Sequence, residues 1–296
     1  MSMFDAFETR TIEVPGARIF VRVKGEGPPL LLLHGYPQTG AMWAGLAPRL
    51  AERFMVVVPD LRGYGRSSAP DNDADNLAYS KRAMAADMIA VMNALGHDSF
   101  QVAGHDRGAR VAYRMAFDHP DAVERLAVLD IVPVAEVWER MDAKAAMKTY
   151  HWTFLAQPAP MPETLIMADP VYYLDHTIAS WTKAKDLSAF APEALEDYRR
   201  SFERPGAVHA ACNDYRAGAT IDWALDRADR AAGNRIACPT LVLWGADGIP
   251  AAGEDPATIW SNWCVAVEGG PLEAGHFIVE EAPEETYRAL ASFFLD

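Results

Sequence analysis

Five residues, Gly104-His105-Asp106-Arg107-Gly108, follow the short apolar run Phe100 to Ala103 and precede a helix-like stretch. Strand, sharp turn and helix in that order hold the middle side chain of the turn in a strained, exposed position at a helix N-terminus, because the glycines let the chain bend tightly. A serine alkoxide placed there attacks acyl carbon. A carboxylate would give only a labile anhydride with acyl carbon, but it can displace a leaving group from sp³ carbon and form an ester. Asp106 therefore points to an alkyl-enzyme intermediate. By itself the motif is moderately specific, since aspartate is common in tight turns for its local hydrogen bonds.

The order of other segments supports the chemical reading. Upstream, Leu30 to Leu33 reads as a buried strand running into His34-Gly35-Tyr36-Pro37, a turn whose backbone N–H at Tyr36 can form half of an oxyanion hole. The N–H of Arg107 supplies the other half. Downstream, Gly275-His276-Phe277 follows the strand-like Trp263 to Val267 and precedes a C-terminal helix opening near Pro283. His276 in that place suits a general base, with a carboxylate to orient it. Two carboxylates compete for that role: Asp247, after the late strand Thr240 to Leu243, and Asp130, at the end of Leu126 to Leu129. Arg107 and Arg110, three residues apart at a helix start, can bring both guanidinium groups to one face beside Asp106 and clamp a carboxylate through forked hydrogen bonds. Ordinary ion pairs are the competing use for them.

Composition bounds the rest. At 296 residues and 50% hydrophobic content, the chain can build one large α/β domain or a core with an inserted cap. No segment approaches the roughly 20 apolar residues of a membrane span. Met1 to Arg10 carries acidic residues where a secretory signal is basic and then apolar, so a cytoplasmic protein is expected. Cys212, Cys238 and Cys264 are far apart and odd in number, which suits reduced, structural thiols; no metal is expected. A net charge of −14, from 27 basic and 41 acidic residues, with no basic run, argues against nucleic acid or an anionic membrane as partner. An acidic substrate would need local positive charge.

Strands are expected at Arg18 to Val23, Leu30 to Leu33, Met55 to Val58, Phe100 to Ala103, Leu126 to Leu129, Thr240 to Leu243 and Cys264 to Val267. Helical patterns at Met84 to Leu95 and Gly108 to Phe117 alternate with them, as in a mostly parallel sheet. Between Asp130 and Pro239 the alternation fails, and the segment is rich in Trp, Tyr, Met and helix formers. It reads as a helical cap (134–220) inserted into a core made of 1–133 and 221–296.

With the His-Gly-Tyr-Pro turn, the Gly-His-Asp-Arg-Gly-Ala-Arg elbow, Leu129-Asp130 and Gly275-His276, nearly the whole chain resembles the α/β-hydrolases that use an aspartate nucleophile. These are the haloalkane dehalogenases, soluble epoxide hydrolases and haloacetate dehalogenases. Haloalkane dehalogenases usually have tryptophan after the nucleophile, where this chain has Arg107. Epoxide hydrolases need two cap tyrosines, and Tyr150, Tyr172, Tyr173, Tyr198 and Tyr215 leave that open. The fullest match is to the fluoroacetate dehalogenases, through Asp106-Arg107-x-x-Arg110, Tyr150-His151-Trp152 and Asp214-Tyr215-Arg216. That resemblance implies an α/β-hydrolase fold with a helical cap, a short 2-haloacid substrate, no cofactor and a homodimer. It assigns Asp106 as nucleophile, His276 and Asp130 as the water-activating pair, and Arg107 and Arg110 as the carboxylate clamp. His151, Trp152 and Tyr215 would then meet the halide with ring N–H, indole N–H and hydroxyl, and Trp181 would line the same cavity. A soluble epoxide hydrolase, or a non-catalytic carboxylate-binding protein on the same scaffold, are the alternatives.

Overall fold

The computed structural model describes residues 3–250 and 253–295. Strands β1 (Glu8–Val14), β2 (Ala17–Lys24), β3 (Pro29–Leu33), β4 (Met55–Pro59), β5 (Phe100–His105), β6 (Val123–Leu129), β7 (Thr240–Gly245) and β8 (Val267–Leu272) make one sheet. Their order is β1-β2-β4-β3-β5-β6-β7-β8. From β4 to β8 all neighbours are parallel, and only β2 runs against both strands beside it. Leu30 to Leu33 of β3 and Val102 and Ala103 of β5 are wholly buried, because helices cover both faces of a parallel sheet and its central strands become continuous apolar runs. This is the mostly parallel sheet that the alternating pattern implied, and it has the architecture that the resemblance to α/β-hydrolases implied.

Two strands depart from expectation at the sheet edges. β1 is outside the expected set because its side chains are mostly exposed and polar, so no apolar run marks it. The last strand begins at Val267 and not at Cys264. Trp263 and Cys264 are buried just before it, and Cys264 makes only an isolated bridge to Ile236. The strand proper contains Gly269, Gly270 and Pro271, residues that hide an edge strand from pattern reading.

Between β6 and β7 the chain forms a succession of helices, from Val134–Glu139 to Ile221–Ala232. They are fastened to the sheet by buried polar bonds. The Tyr113 hydroxyl donates to Asp226 and accepts from the N–H of Val134, while Asp226 also accepts from the N–H of Ala135. Thr39, on the turn after β3, donates to Asp197 at 2.6 Å, and within the inserted segment the Trp138 indole donates to the Gly218 carbonyl. The inserted helices thus sit over the carboxyl ends of β3, β5, β6 and β8, where open parallel sheets bind their ligands.

Candidate active site

Asp106 separates β5 from the helix Arg107–Asp118, with φ +46° and ψ −118°. A non-glycine residue at positive φ costs on the order of 1–3 kcal/mol and persists only where the surroundings impose it. Here both elbow glycines impose it by close approach. A Cβ on Gly104 would lie 2.6 Å from the backbone of Ala109, and one on Gly108 would lie 2.3 Å from the His34 carbonyl oxygen. The turn after β3 therefore packs directly on the elbow, and the Tyr36 N–H donates to Oδ1 of Asp106 at 2.8 Å. Burial pushes the Asp106 carboxyl toward its neutral form, but His276 and, beyond it, Arg107 and Arg110 outweigh that effect and hold it below the usual carboxylate range. It stands as an anion.

His276 lies on the loop after β8. Its Nδ1 is 2.5 Å from Oδ2 of Asp130, and its Nε2, with no hydrogen-bond partner, faces Oδ2 of Asp106 at 4.0 Å. Asp130 ends β6 at φ +54° and also accepts from the N–H of Gly245 at 2.8 Å. A carboxylate acceptor at Nδ1 fixes the tautomer that leaves Nε2 basic. Burial lowers the His276 pKa, but the bond to Asp130 and its charge more than reverse this, leaving His276 above the ordinary histidine value. Asp247 is half exposed and pairs with Lys183 at 3.1 Å, away from His276.

The backbone of His276 is pinned from two sides. Its N–H donates to the carbonyl of Trp181, and its own carbonyl accepts from Nε2 of His105 at 2.8 Å. The Glu281 carboxylate takes the N–H groups of Gly275 and Phe277 on either side. Neither His105 nor Glu281 stands out in the sequence. His105 reads as filler inside the elbow; its bond to the His276 carbonyl and its tilted ring contact with His276, with centroids 4.6 Å apart, show what it supports.

The two arginines are placed differently. Arg110 lies on the wall of a cavity of about 200 Å³ together with Asp106, Asp130, His151, Trp152 and His276. Its Nη1 donates to the Val132 carbonyl, its Nε has no partner, and its guanidinium lies 4.6 Å over the Trp152 ring. Arg107 is fully buried and is not a symmetric half of a clamp. Its Nε and Nη2 are held by Asp214 at 3.0 and 2.6 Å, which leaves Nη1 without a partner. The spacing of three residues brings both groups near Asp106, but a cap carboxylate far along the chain takes the forked edge of one of them.

His151, Trp152 and Tyr215 come together from two cap helices, Tyr150–Leu155 and Ala207–Ala219. The Tyr215 ring stands edge-on to His151 at 5.6 Å and to Trp152 at 5.9 Å, and its hydroxyl is buried with no partner. Burial drives the His151 pKa down to about 3, so its imidazole is neutral and offers one N–H. Trp181, like Tyr215 and Arg107, is not on the wall of that cavity. Trp181 packs 4.4 Å from the His151 ring, 5.4 Å from the His276 ring and 6.2 Å from the Tyr36 ring. Buried polar atoms without partners thus gather here: Nη1 of Arg107, Nε of Arg110, Nδ1 of His151, the hydroxyls of Tyr36 and Tyr215, and Nε2 of His276. Unpaired buried donors and acceptors cost about 1–3 kcal/mol each, so their concentration at one place marks a site made to hold a polar ligand. Among the described residues no cluster of His, Cys, Asp and Glu could hold a metal ion, and no helix is long and apolar enough to cross a membrane.

Known proteins agree with this geometry. The family described as alpha/beta hydrolase fold matches residues 28–283. A fluoroacetate dehalogenase from Burkholderia sp. is 44% identical over 294 residues, covering 99% of this chain and 96% of that protein. A soluble epoxide hydrolase from Corynebacterium sp. (strain C12) is 32% identical and covers 95% of each chain. Among solved structures, a protein from Nostoc sp. PCC 7120 assigned to the alpha/beta hydrolases superposes with a TM-score of 0.95 at 49% identity, over 98% of this chain and 99% of that one. Elbow, sheet order and a match that spans most of the sequence lead to one conclusion: the chain belongs to the α/β-hydrolase family.

Proposed function

We propose that this chain is a haloacetate dehalogenase that hydrolyses short 2-haloacids, with fluoroacetate to glycolate and fluoride as the reference reaction. The observation that carries the reading is one cavity wall on which a carboxylate nucleophile, Asp106, stands beside a cation with no carboxylate partner, Arg110, and a paired base, His276. A neutral epoxide would have no use for that cation. The likeness to the Burkholderia fluoroacetate dehalogenase supports the same substrate class. In this reading the cap is 134–220, and the helix Ile221–Ala232 returns the chain to the core.

The substrate carboxylate binds Arg110 and the free Nη1 of Arg107, which brings its α-carbon against Oδ2 of Asp106. Such positioning can supply up to about 7–11 kcal/mol in ideal cases. Oδ2 attacks in line, the carbon–fluorine bond breaks with its electron pair leaving on fluoride, and His151, Trp152 and Tyr215 meet the developing charge. Because these donors act where charge appears, they accelerate bond breaking and do more than bind substrate. Nε2 of His276 then takes a proton from water as its oxygen attacks Cγ of the Asp106 ester. The Tyr36 N–H, already on Oδ1, is placed to hold the oxyanion that forms there. Collapse of that intermediate breaks the Cγ–Oδ2 bond, and His276 returns its proton to the leaving alkoxide to give glycolate. The new Asp106 carboxyl loses its proton to solvent and is again a carboxylate.

The test is fluoride release from fluoroacetate by the purified protein, with chloroacetate and styrene oxide run in parallel. Turnover of the epoxide with no halide release from either acid would overturn the proposal. Two further results are expected. Tyr215→Phe removes a donor that matters more to compact fluoride than to larger chloride. A lost bond to a charged group is worth roughly 1.5–3 kcal/mol, or about ten- to a hundredfold in rate if it acts mainly in the transition state. The first step should therefore slow more with fluoroacetate than with chloroacetate; an equal loss on both would remove Tyr215 from the halide pocket.

The second result is a pH profile. Ester hydrolysis needs His276 unprotonated, and Asp130 holds its pKa above the ordinary value. The single-turnover hydrolysis rate should therefore fall as pH drops through a midpoint above about 6.5. Asp130→Asn should move that midpoint downward. An acid limb that stays in place in this variant would show that Asp130 does not set the base.

A further inference from the structure

Behind the catalytic wall lies a second group of charges that the reaction does not consume. Asp214, wholly buried on the cap helix Ala207–Ala219, accepts from Nε and Nη2 of Arg107, from the Tyr64 hydroxyl at 2.8 Å and from the ammonium of Lys81. These four bonds fill the acceptor capacity of a carboxylate. Lys81 is equally buried, and a second carboxylate, Asp222, lies 3.7 Å from its Nζ and accepts from its backbone N–H. Two cations thus face two anions, and the group is neutral as a unit. Together Arg107 and Lys81 hold Asp214 ionised against the burial that would neutralise it. Arg110 stands outside this balance. Among the described residues no carboxylate lies within ion-pair distance of it, and its bond goes to a backbone carbonyl.

Resting on the haloacid reading above, we propose that Asp214 is a positioning residue: it takes the forked edge of Arg107, cancels its charge, and leaves a single donor, Nη1, to orient the substrate carboxylate while Arg110 carries the electrostatic attraction. The arrangement has a chemical purpose. Two free guanidinium forks would compete for one small carboxylate and could grip it in several poses, only some of which bring the α-carbon in line with Asp106. A fork already filled offers one direction.

The experiment removes the restraint without leaving an unmatched charge. Asp214→Asn leaves two buried cations facing only Asp222, so it is paired with Lys81→Met in a double variant in which Arg107 still faces Asp222 as the sole anion. Nη2 of Arg107 also donates to the backbone carbonyl of Asp214 at 2.7 Å, a bond that the substitution leaves in place, but with the charged side-chain hold gone the guanidinium can turn and offer a carboxylate more than Nη1. Glycolate and acetate should then bind several-fold more tightly by calorimetry and as inhibitors. Dehalogenation kcat should fall about tenfold to a hundredfold because the α-carbon is no longer held in line, and KM should fall with it. A merely structural role would lower the active fraction and leave KM and the inhibition constants unchanged. Unchanged or weaker carboxylate binding in both variants overturns the proposal. If the parent releases no fluoride from any haloacid, the functional reading fails, but glycolate calorimetry on parent and double variant still decides the role of Asp214.

Discussion

Fluoroacetate added to a His276→Ala variant should leave a carboxymethyl ester on Asp106, visible by intact-protein mass spectrometry and mapped to the elbow peptide by digestion. The expectation follows from the separate placement of the two groups. Asp106 attacks with an oxygen whose charge does not depend on His276 alone, since Arg107 and Arg110 also favour the ionised form. Ester hydrolysis, in contrast, has no other base aimed at it, because Nε2 of His276 is the group that faces Asp106 across 4.0 Å. General-base catalysis contributes roughly 10²- to 10⁴-fold, so the ester should persist long enough to accumulate to one equivalent. Fluoride should appear as a single burst of matching size. An inactive variant that stays unmodified and releases no burst would mean that His276 is needed for the first step, and the division of labour would be wrong.

Arg110→Ala should be the most damaging change to substrate capture. The site would then present an anionic nucleophile and a neutralised Arg107 to an incoming anion, inside a protein of net charge −14. Truncating one member of a buried charge pair costs about 2–5 kcal/mol, which corresponds to a loss in kcat/KM of about thirtyfold to several thousandfold. Inhibition by acetate or glycolate should weaken in parallel. If the variant is inhibited as well as its parent, Arg110 is an ordinary helix residue and substrate charge is met elsewhere.

Much of this site is legible from sequence because its parts are local. The elbow, the turn after β3 and the loop carrying His276 each consist of a few consecutive residues whose types determine their conformation, and the buried strands that present the first two, β5 and β3, are plain apolar runs. The link from His276 to Asp130 crosses 146 residues, so spacing leaves Asp247 as a rival and the resemblance chooses between them. Distance alone does not defeat reading; missing local marks do. Lys81 meets Asp214 across 133 residues. Nothing near either position distinguishes a buried ion pair from a solvated lysine and a surface aspartate. The same holds for Arg107, whose spacing from Arg110 shows where both can reach but not that another carboxylate has taken one of them. At the sheet edges the reason is different. β1 is exposed and β8 carries glycines and proline, so neither needs the apolar pattern by which strands are recognised.

The paired charges of Arg107, Lys81 and Asp214 also bear on how freely this protein could exchange parts with its relatives. A chimera cut at 134 and 220 would take Asp214 away with one fragment and leave Arg107 and Lys81 behind on the other. Unless the incoming fragment brought a carboxylate to the same place, two desolvated cations would be left with Asp222 alone, and losing one partner of a buried pair costs about 3–5 kcal/mol. That is a large share of the roughly 5–15 kcal/mol that holds a domain folded. Recombination across this boundary should therefore yield soluble progeny mainly when positions 81, 107 and 214 are inherited from one parent.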